Sequence, residues 1–138
     1  MNIYVRDKLL YGALCARMKG KNARVMNEIS QDTDIAVCTE KELFLPYKTG
    51  ILLVDSSNLP SFVRQINVSA VVSCGMNEKD TVTFSSIDND RAVLCVQRDI
   101  FYGQIALECG EFPVNYDSNL PVWHNVVLGF CEITAREL

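Results

Sequence analysis

A chain of 138 residues is long enough for a single domain with one hydrophobic core, since domains are most common at roughly 100 to 150 residues. Its composition, 49% apolar and 22% charged, is that of a globular protein and excludes a disordered or fibrous one. The net charge is -4, and lysine and arginine are scattered along the chain rather than gathered in one run. This pattern argues against a nucleic-acid partner, which needs cations that neutralise a row of phosphates.

The N-terminus and the apolar runs predict a protein with no export signal and no membrane-spanning segment. Arg6, Asp7 and Lys8 interrupt the region where a signal peptide needs about 7 to 15 apolar residues in succession. The longest apolar runs, such as Ala92–Val96, have the length of a strand and not the roughly 20 residues of a membrane-spanning helix. We therefore expect a cytoplasmic protein with no membrane partner.

The first elements in chain order are a short strand and an amphipathic helix. Asn2–Val5 is apolar enough for a strand, and Asp7 is placed to cap the following helix by accepting from its free amide groups. The helix has its apolar residues at the i, i+3, i+4, i+8 spacing of one buried face, namely Leu10, Ala13, Leu14 and Met18. Gly20, between two lysines, predicts the end of this helix.

Three apolar segments predict further strands in the first half of the chain. Arg24–Ile29 is a candidate strand, and Asp34–Cys38 has the short, β-branched character of a buried one. Ile51–Val54 is apolar throughout and predicts a strand that is buried on both faces. Between the last two, Glu40–Pro46 predicts one helical turn or an irregular link.

A strand-helix-strand unit begins with Ile51–Val54 and ends with a second buried strand, Ala70–Cys74. Ser57 or Asn58 can cap the helix between them, and Pro60 suits its first turn. The apolar residues of this helix lie at i, i+3, i+4 and i+7, namely Leu59, Phe62, Val63 and Ile66. Such units have a right-handed crossover, so we expect the two strands to be parallel.

The second half of the chain has the pattern of an antiparallel extension. Thr81–Ile87 alternates apolar and polar residues and forms a predicted hairpin with Arg91–Arg98. Asp99–Asn115 contains two more candidate strands. The last helix has Trp123, Val126, Val127, Phe130 and Cys131 on one face. We therefore predict one Rossmann-like α/β domain over residues 1–138, in two or three layers, with a short parallel βαβ core, an antiparallel extension and a C-terminal helix.

The six cysteines have the sequence setting of reduced, mostly buried thiols. Most lie inside apolar runs, where free cysteine behaves as a small hydrophobic residue. No two have the CxxC spacing of a zinc site, and the only histidine, His124, is far along the chain from most of them. The sequence therefore predicts no metal site and no cofactor.

A ligand site, if the protein has one, is expected at the carboxyl ends of the parallel strands, where loops and helix N-termini converge. Asp55, Ser57 and Asn58 follow the first strand of the strand-helix-strand unit, and Gly75 and Asn77 follow the second. One interpretation is an anion or nucleotide contact at the helix start, with Gly75 allowing close backbone approach. In the other interpretation, Ser57 or Asn58 is only a helix cap and Gly75 is only a turn residue. The sequence leaves both interpretations open.

The common catalytic motifs are missing from the sequence. No GxxxxGK[ST] phosphate loop and no GxGxxG dinucleotide motif occurs. Asp55 after ILLV is similar to the phospho-acceptor position of two-component receiver domains, but Asn2–Arg6 lacks the acidic magnesium ligands that such a site needs. His124 would be the only histidine for acid/base catalysis, and a structural role in the last helix is the alternative.

Three segments in order, ILLVDSS, VVSCGMNEKDTVTFSSI and VWHNVVLGF, resemble the second half of the central domain of the Mur ligases. These bacterial enzymes add amino acids to peptidoglycan precursors with ATP. The resemblance covers about 80 residues, Ile51–Cys131, and implies site roles for Asp55, Gly75 and the pair His124 and Asn125. The family's phosphate loop has no counterpart upstream, so the resemblance implies a relative that keeps the scaffold and lacks ATP chemistry.

Three functional hypotheses follow from the sequence. The first is a non-catalytic cytoplasmic module that binds a small ligand or a protein partner and is linked to cell-envelope metabolism. The second is an enzyme of unassigned class with its site near Asp55 and Cys74, using His124. The third is a structural subunit that forms a homo-oligomer through the exposed face of the antiparallel segment.

Overall fold

The computed structural model describes residues 1–28, 32–38, 48–58 and 68–136. The strands of its first half are β1 (Asn2–Val5), β2 (Arg24–Met26), β3 (Thr33–Cys38), β4 (Thr49–Asp55) and β5 (Val68–Cys74). The later strands are β6 (Val82–Asp88), β7 (Arg91–Val96), β8 (Ile100–Tyr102), β9 (Ile105–Leu107) and β10 (Gly110–Asn115). The helices are α1 (Lys8–Met18) and α2 (Val122–Arg136), and Ser56–Asn58 forms one 3-10 turn. The predicted α/β class is confirmed.

Eight of these strands form one sheet in the order β10-β7-β6-β5-β4-β3-β1-β2. The pairs β2–β1, β1–β3, β3–β4 and β4–β5 are parallel, so the predicted parallel pairing of β4 with β5 is confirmed. The order 2-1-3-4-5 of this parallel part is that of flavodoxin-like doubly wound sheets. Its topological switch point lies between β1 and β3, where the chain begins to build the sheet in the opposite direction.

The central strand β4 shows why this sheet is buried on both faces. Ile51 and Leu53 belong to the main core cluster, whereas Leu52 and Val54 belong to a second cluster on the other face. Successive side chains of a strand point to opposite faces, so a strand that is apolar at every position fits only between two covered surfaces. Both helices pack on the face that carries Ile51 and Leu53.

Helix α1 begins and ends as the sequence predicts. The Asp7 side chain accepts a hydrogen bond of 2.8 Å from the amide of Leu10, which satisfies one of the free N–H groups of the first turn. Leu10, Leu14 and Met18 are buried. Gly20 has a φ of +77° in the turn that follows, a conformation that glycine adopts without steric cost.

The antiparallel part is attached to the parallel part by a narrow connection. The single register pair Cys74 and Val82 joins β5 to β6. Beyond it, β6 and β7 form the predicted hairpin, with a register shift between Phe84 and Ser86 and a positive φ of 46° at Asn89 in the turn. β10 then pairs with β7 along its whole length.

Helix α2 is buried more completely than its sequence predicts. Every residue from Asn125 to Ala135 is buried, because α1 covers one side of the helix and β10, β7 and β6 cover another. Gly129 lets the helix approach the antiparallel strands closely, since a β-carbon there would lie 3.3 Å from Leu94 and Val114. Trp123, which the sequence places on the buried face, is only half-buried.

A buried carboxylate ties α2 to α1 and β10. Glu132 Oε1 lies 2.6 Å from Arg136 Nη2, and Oε2 lies 3.3 Å from Arg17 Nη1. Asn115 Nδ2 donates to the same carboxylate at 3.5 Å. Because a buried charge is costly without partners, we infer that this network fixes the position of α2.

The segment Asp99–Asn115 contains three strands rather than the two predicted, because Gly110–Asn115 is itself a strand, β10, in spite of its Gly and Pro residues. Gly103, with a φ of 55°, turns the chain between β8 and β9. β8 and β9 form a separate antiparallel hairpin whose Tyr102 packs directly on Gly50 of β4. A β-carbon at Gly50 would overlap the Tyr102 ring and would lie 2.6 Å from its Cδ1 atom. The hairpin therefore covers the amino-terminal end of β4.

The two outer strands of the large sheet differ in their free edges. On β10, Pro113 has no N–H group, and its carbonyl accepts a hydrogen bond of 3.1 Å from Arg136. The carbonyl of Asn115 accepts from Arg17 at 3.4 Å. Both features hinder the addition of another strand at the free edge of β10. Within the described residues, β2 has no such blocking contact on its free edge.

Some predictions fall outside the described residues, namely the helix Leu59–Ile66, the link Glu40–Pro46 and the last residue of Arg24–Ile29. The described part of that last segment is a strand only as far as Met26. No helix in the described ranges is long and apolar enough to cross a membrane.

Candidate functional site

The predicted site residues after β4 and β5 lie next to each other at the carboxyl edge of the sheet. Asp55 is the register partner of Cys74, so Gly75 follows directly beside the 3-10 turn. A β-carbon at Gly75 would lie 2.6 Å from Asp80 Oδ2 and 3.4 Å from Ser56 Oγ. We call Asp55, Ser56, Gly75 and Asp80 the carboxyl-edge cluster.

Asp80 was missed in the sequence, although it is the most buried carboxylate of this cluster, with 2% of its surface exposed. Its Oδ2 accepts a hydrogen bond of 2.9 Å from the amide of Asn77, and the Asn77 side chain accepts at 2.9 Å from the amide of Lys79. The polar spacing of NEKD is the only signal of this turn in the sequence. Residues 75–81 therefore form an ordered loop that holds Asp80 against Gly75.

Gln97, at the end of β7, holds the same loop from the antiparallel part of the sheet. Its side-chain amide donates to the carbonyls of Glu78 at 2.9 Å and Asp80 at 2.6 Å. Its backbone amide donates to the carbonyl of Thr81 at 2.8 Å. Gln97 is therefore a positioning residue for the cluster, and nothing in the local sequence distinguishes it from other polar strand-end residues.

The amides of Ser57 and Gly75 at this edge already have acceptors within the chain. The amide and the hydroxyl of Ser57 both donate to Asp55 Oδ1, at 2.9 and 2.7 Å. The amide of Gly75 donates to the carbonyl of Val82 at 3.2 Å. An anion at the start of the 3-10 turn would have to displace Asp55 from these donors. The partly exposed acceptor at this edge is the carboxylate of Asp55, and the buried carboxylate of Asp80 lies behind it.

The thiol of Cys74 lies beneath the cluster and is held in its protonated form. Burial, followed by the neighbouring Cys131, Asp80 and Asp55, raises the pKa of Cys74 well above its usual value. Burial also raises the pKa of Cys131 to about 12. Because the thiolate is the nucleophilic form, these surroundings disfavour Cys74 as a catalytic nucleophile.

The reactivity of the six cysteines tests whether Cys74 and Cys131 are buried as described. None of the six forms a disulfide, but only Cys38, Cys74 and Cys131 are buried, so the prediction of mostly buried thiols holds for half of them. We expect iodoacetamide at neutral pH to modify the exposed Cys15 and Cys109 within minutes and to leave Cys74 and Cys131 unmodified in the native protein, as peptide mass spectrometry would show.

The same thiols give a pH dependence. The pKa of Cys131 is raised from about 9 in the unfolded chain to about 12 in the folded one. The buried, protonated thiol therefore contributes its full stability below about pH 9, and this contribution is lost as the pH rises toward 12. Unfolding free energy is therefore expected to fall in this range, and to fall less in a Cys131→Ala variant. Rapid labelling of Cys74 in folded protein at neutral pH would contradict the description.

His124 and Asn125 lie in the first turn of α2 and take part in contacts of their own. Asn125 Oδ1 accepts from the amide of Asp117 at 2.8 Å, and its Nδ2 donates to the carbonyl of Asp117 at 2.8 Å. The His124 ring packs edge-on near Trp123, with the centroids 6.0 Å apart. No described contact links either residue to the carboxyl-edge cluster, and the Asn125 side chain fixes the turn before α2.

The strand order adds a feature that the sequence did not disclose. The switch point between β1 and β3 lies near Arg6 and Lys8, which follow β1 and are exposed, while Asp7 is used as the α1 cap. Asp55, at the end of β4, and Asp80, in the loop after β5, lie two and three strands from β1 along the same edge. The edge therefore changes from cationic side chains at β1 to carboxylates at β4 and β5.

Of the seven predicted site residues, Asp55, Ser57, Gly75 and Asn77 lie in the two neighbouring loops that follow β4 and β5 at this edge. Asn58 lies in the 3-10 turn, and its side chain is outside the described part of the chain. In the described ranges, no group of three or more His, Cys, Asp or Glu residues is arranged to hold a metal ion.

Comparisons with known proteins leave the chain without an assigned family. No protein-family model, no curated protein and no solved structure matches it. The Mur ligase resemblance therefore stays a prediction, and the site is described from its own geometry alone.

Proposed function

We propose that this chain is a non-catalytic α/β module that binds a small ligand, or a segment of a protein partner, at the carboxyl edge of β4 and β5. The observation that carries the proposal is the arrangement around Gly75. Its missing side chain lets the Asp80 carboxylate pack against the strand end, at the edge where open parallel sheets bind ligands. The loop of residues 75–81, which Gln97 holds in place, would therefore offer a ligand hydrogen-bonding groups in fixed positions.

The chemistry of the edge favours a ligand that brings hydrogen-bond donors. The amides of Ser57, Gly75 and Asn77 are engaged within the chain, whereas carboxylates accept several hydrogen bonds each. Amines, amides and sugar hydroxyls are ligand groups of this kind. Sugar hydroxyls also agree with the proposed kinship to the Mur ligases, and with the proposed place in cell-envelope metabolism.

Two features of the described residues weigh against an enzyme that uses Cys74 and His124. Burial, followed by the neighbouring Cys131, Asp80 and Asp55, raises the pKa of the Cys74 thiol. The contacts of His124 lie at the start of α2, away from the cluster. A thiol kept protonated and a histidine without a contact to the site do not form a nucleophile-base pair.

Thermal-shift and calorimetric titrations against nucleotides, UDP-sugars and neutral amino sugars test the proposal. We expect an amino sugar or UDP-sugar to bind, and Asp55→Asn to weaken that binding about tenfold by removing a charged acceptor. Asp88→Asn is the matched control, since Asp88 is an exposed carboxylate at the end of β6. Turnover of any of these compounds would overturn the non-catalytic assignment, and binding unaffected by Asp55→Asn would overturn the site.

A second candidate is self-association through the antiparallel segment. Phe101 of β8 is 64% exposed, and it lines an open groove of about 390 Å³ together with Ala106 and Phe112. A large exposed aromatic side chain of this kind is typical of an interface. Light scattering at high concentration tests the idea, and we expect Phe101→Ser to lower the measured mass of any oligomer. A strictly monomeric wild-type chain would refute it.

A further inference from the structure

The charge of the chain is distributed unevenly between its two ends. Residues 1–27 hold six of the 13 Lys and Arg residues and one of the 17 acidic residues, a net charge of +5, and the rest of the chain carries -9. These residues form β1, α1 and β2, which lie at one end of the large sheet. One end of an acidic protein is therefore distinctly basic.

Three cations at this end have no partner among the described residues. Lys19, Lys21 and Arg24 are exposed, and none of them takes part in a described ion pair or side-chain hydrogen bond. Arg17, one turn earlier, is instead committed to Glu132. Lys19, Lys21 and Arg24, together with β2, are called the basic edge below.

The basic edge contains a depression with an apolar floor. It has a volume of about 240 Å³ and lies between the end of α1 and β2. Met18, Ala23 and Val25 form its floor, and Lys19 and Lys21 lie on its rim. A ligand that combines an apolar group with negative charges would match these surroundings.

The backbone of β2 adds a second kind of recognition. The amide of Arg24 donates to the carbonyl of Met1 at 2.7 Å, so the backbone groups of Arg24 point toward β1. Backbone groups of successive strand residues point to opposite sides. The N–H and C=O of Val25 therefore point away from the sheet, and no described residue pairs with them. The other sheet edge, β10, is blocked by Pro113 and Arg136.

We infer that the basic edge binds an extended acidic peptide segment of a protein partner, which adds as a strand beside β2. Main-chain hydrogen bonds to Val25 would align the segment. Its carboxylates would pair with Lys19, Lys21 and Arg24, and an apolar residue would enter the depression. This surface is separate from the carboxyl-edge cluster, so it is independent of the function proposed above.

Two observations favour a peptide over other polyanions. A nucleic acid or an anionic membrane offers phosphates but no backbone to pair with the open edge of β2. The net charge of -9 on the rest of the chain repels a long polyanion that extends beyond the basic edge. A short segment with a few carboxylates stays close to Lys19, Lys21 and Arg24, and the exposed Glu28 lies beyond the end of β2.

Fluorescence anisotropy on the full chain with a labelled peptide of alternating glutamate and valine tests the inference at about 50 mM salt, where surface charges are weakly screened. We expect the affinity for the peptide to fall with added salt and to be about tenfold lower in the variant Lys19→Glu/Lys21→Glu. Lys79→Glu/Arg98→Glu is the matched control, since both residues are exposed and lie elsewhere. The control variant should bind the peptide as the native chain does.

The strand-addition step has its own test. Val25→Pro removes the outward N–H group and is expected to weaken peptide binding about fivefold without loss of the far-UV circular dichroism. Hydrogen exchange of the Val25 amide in the native chain provides a readout that needs no variant, and it should slow when the peptide is added. Unchanged exchange at saturation would overturn strand addition. No binding of the peptide, equal binding by the charge-reversed variant, or tighter binding of oligothymidylate or phosphatidylserine vesicles would overturn the inference.

Discussion

Gly50→Ala is expected to lower the free energy of unfolding by about 3 kcal/mol, because the added β-carbon would overlap the Tyr102 ring and overpacking of this kind is costly. Gly50 is buried in β4, in the middle of the parallel strands, so the strand is poorly placed to move. The ring would have to swing away and take the β8–β9 hairpin with it. Urea unfolding followed by circular dichroism measures the change.

Gly12→Ala is the matched control for this substitution. Nothing lies within 4 Å of a β-carbon at Gly12, which is exposed in α1, so alanine should stabilise the helix by about 0.5 to 1 kcal/mol. The double variant Gly50→Ala/Tyr102→Ala should recover part of the loss, since it removes the overlapping ring. If Gly50→Ala has the same midpoint of urea unfolding as the native chain, the described packing of the β8–β9 hairpin on β4 is contradicted.

Glu132→Ala is expected to cost about 3 kcal/mol of unfolding free energy, because it leaves the guanidinium of Arg17 without its carboxylate partner in a site that is mostly buried. The side chain of Arg17 is 15% exposed and that of Glu132 4% exposed, so water replaces the lost carboxylate poorly. The same change removes the anchor of Arg136 on α2. Thermal and chemical unfolding both measure this effect.

Three further variants separate the ion network from a general effect of substitution. Glu111→Ala, at an exposed glutamate in β10, should change stability by less than about 0.5 kcal/mol. Arg136→Ala should cost about 1 kcal/mol or less, since that side chain is 42% exposed. Arg17→Met/Glu132→Met, which removes both charges together, should be milder than Glu132→Ala alone. An equal loss in both variants would show that packing, not charge, explains the effect.

Local patterns predicted the elements whose residues lie close together in the sequence. The spacing of Leu10, Leu14 and Met18 located α1, because the residues of one helix face recur every three to four positions. The unbroken apolar run Ile51–Val54 located a strand buried on both faces. The carboxyl-edge residues Asp55 and Gly75 were predicted because strand ends in parallel sheets meet at one edge.

Contacts between residues far apart in the sequence were not predictable in this way. Tyr102 packs on Gly50, and Gln97 clamps a loop nearly twenty residues earlier. Neither contact leaves a periodic pattern. Glu132 sits in an apolar stretch of α2, where a charged residue usually indicates a solvent-facing position, and only the fold reveals that Arg17 lies opposite. Strand order is also absent from local sequence, so the switch point beside β1 was missed.

The blocked edge of β10 sets a limit on how many chains could join through their strands. An edge capped by Arg136 and interrupted by Pro113 disfavours a neighbouring strand, so the large sheet, in its described residues, has one open edge at most. Strand addition at β2 would then stop after a single step, as a one-to-one complex or a closed pair. With one open edge, the large sheet would bind a partner strand at β2 without extending into a fibre, because a fibre needs two open edges per molecule.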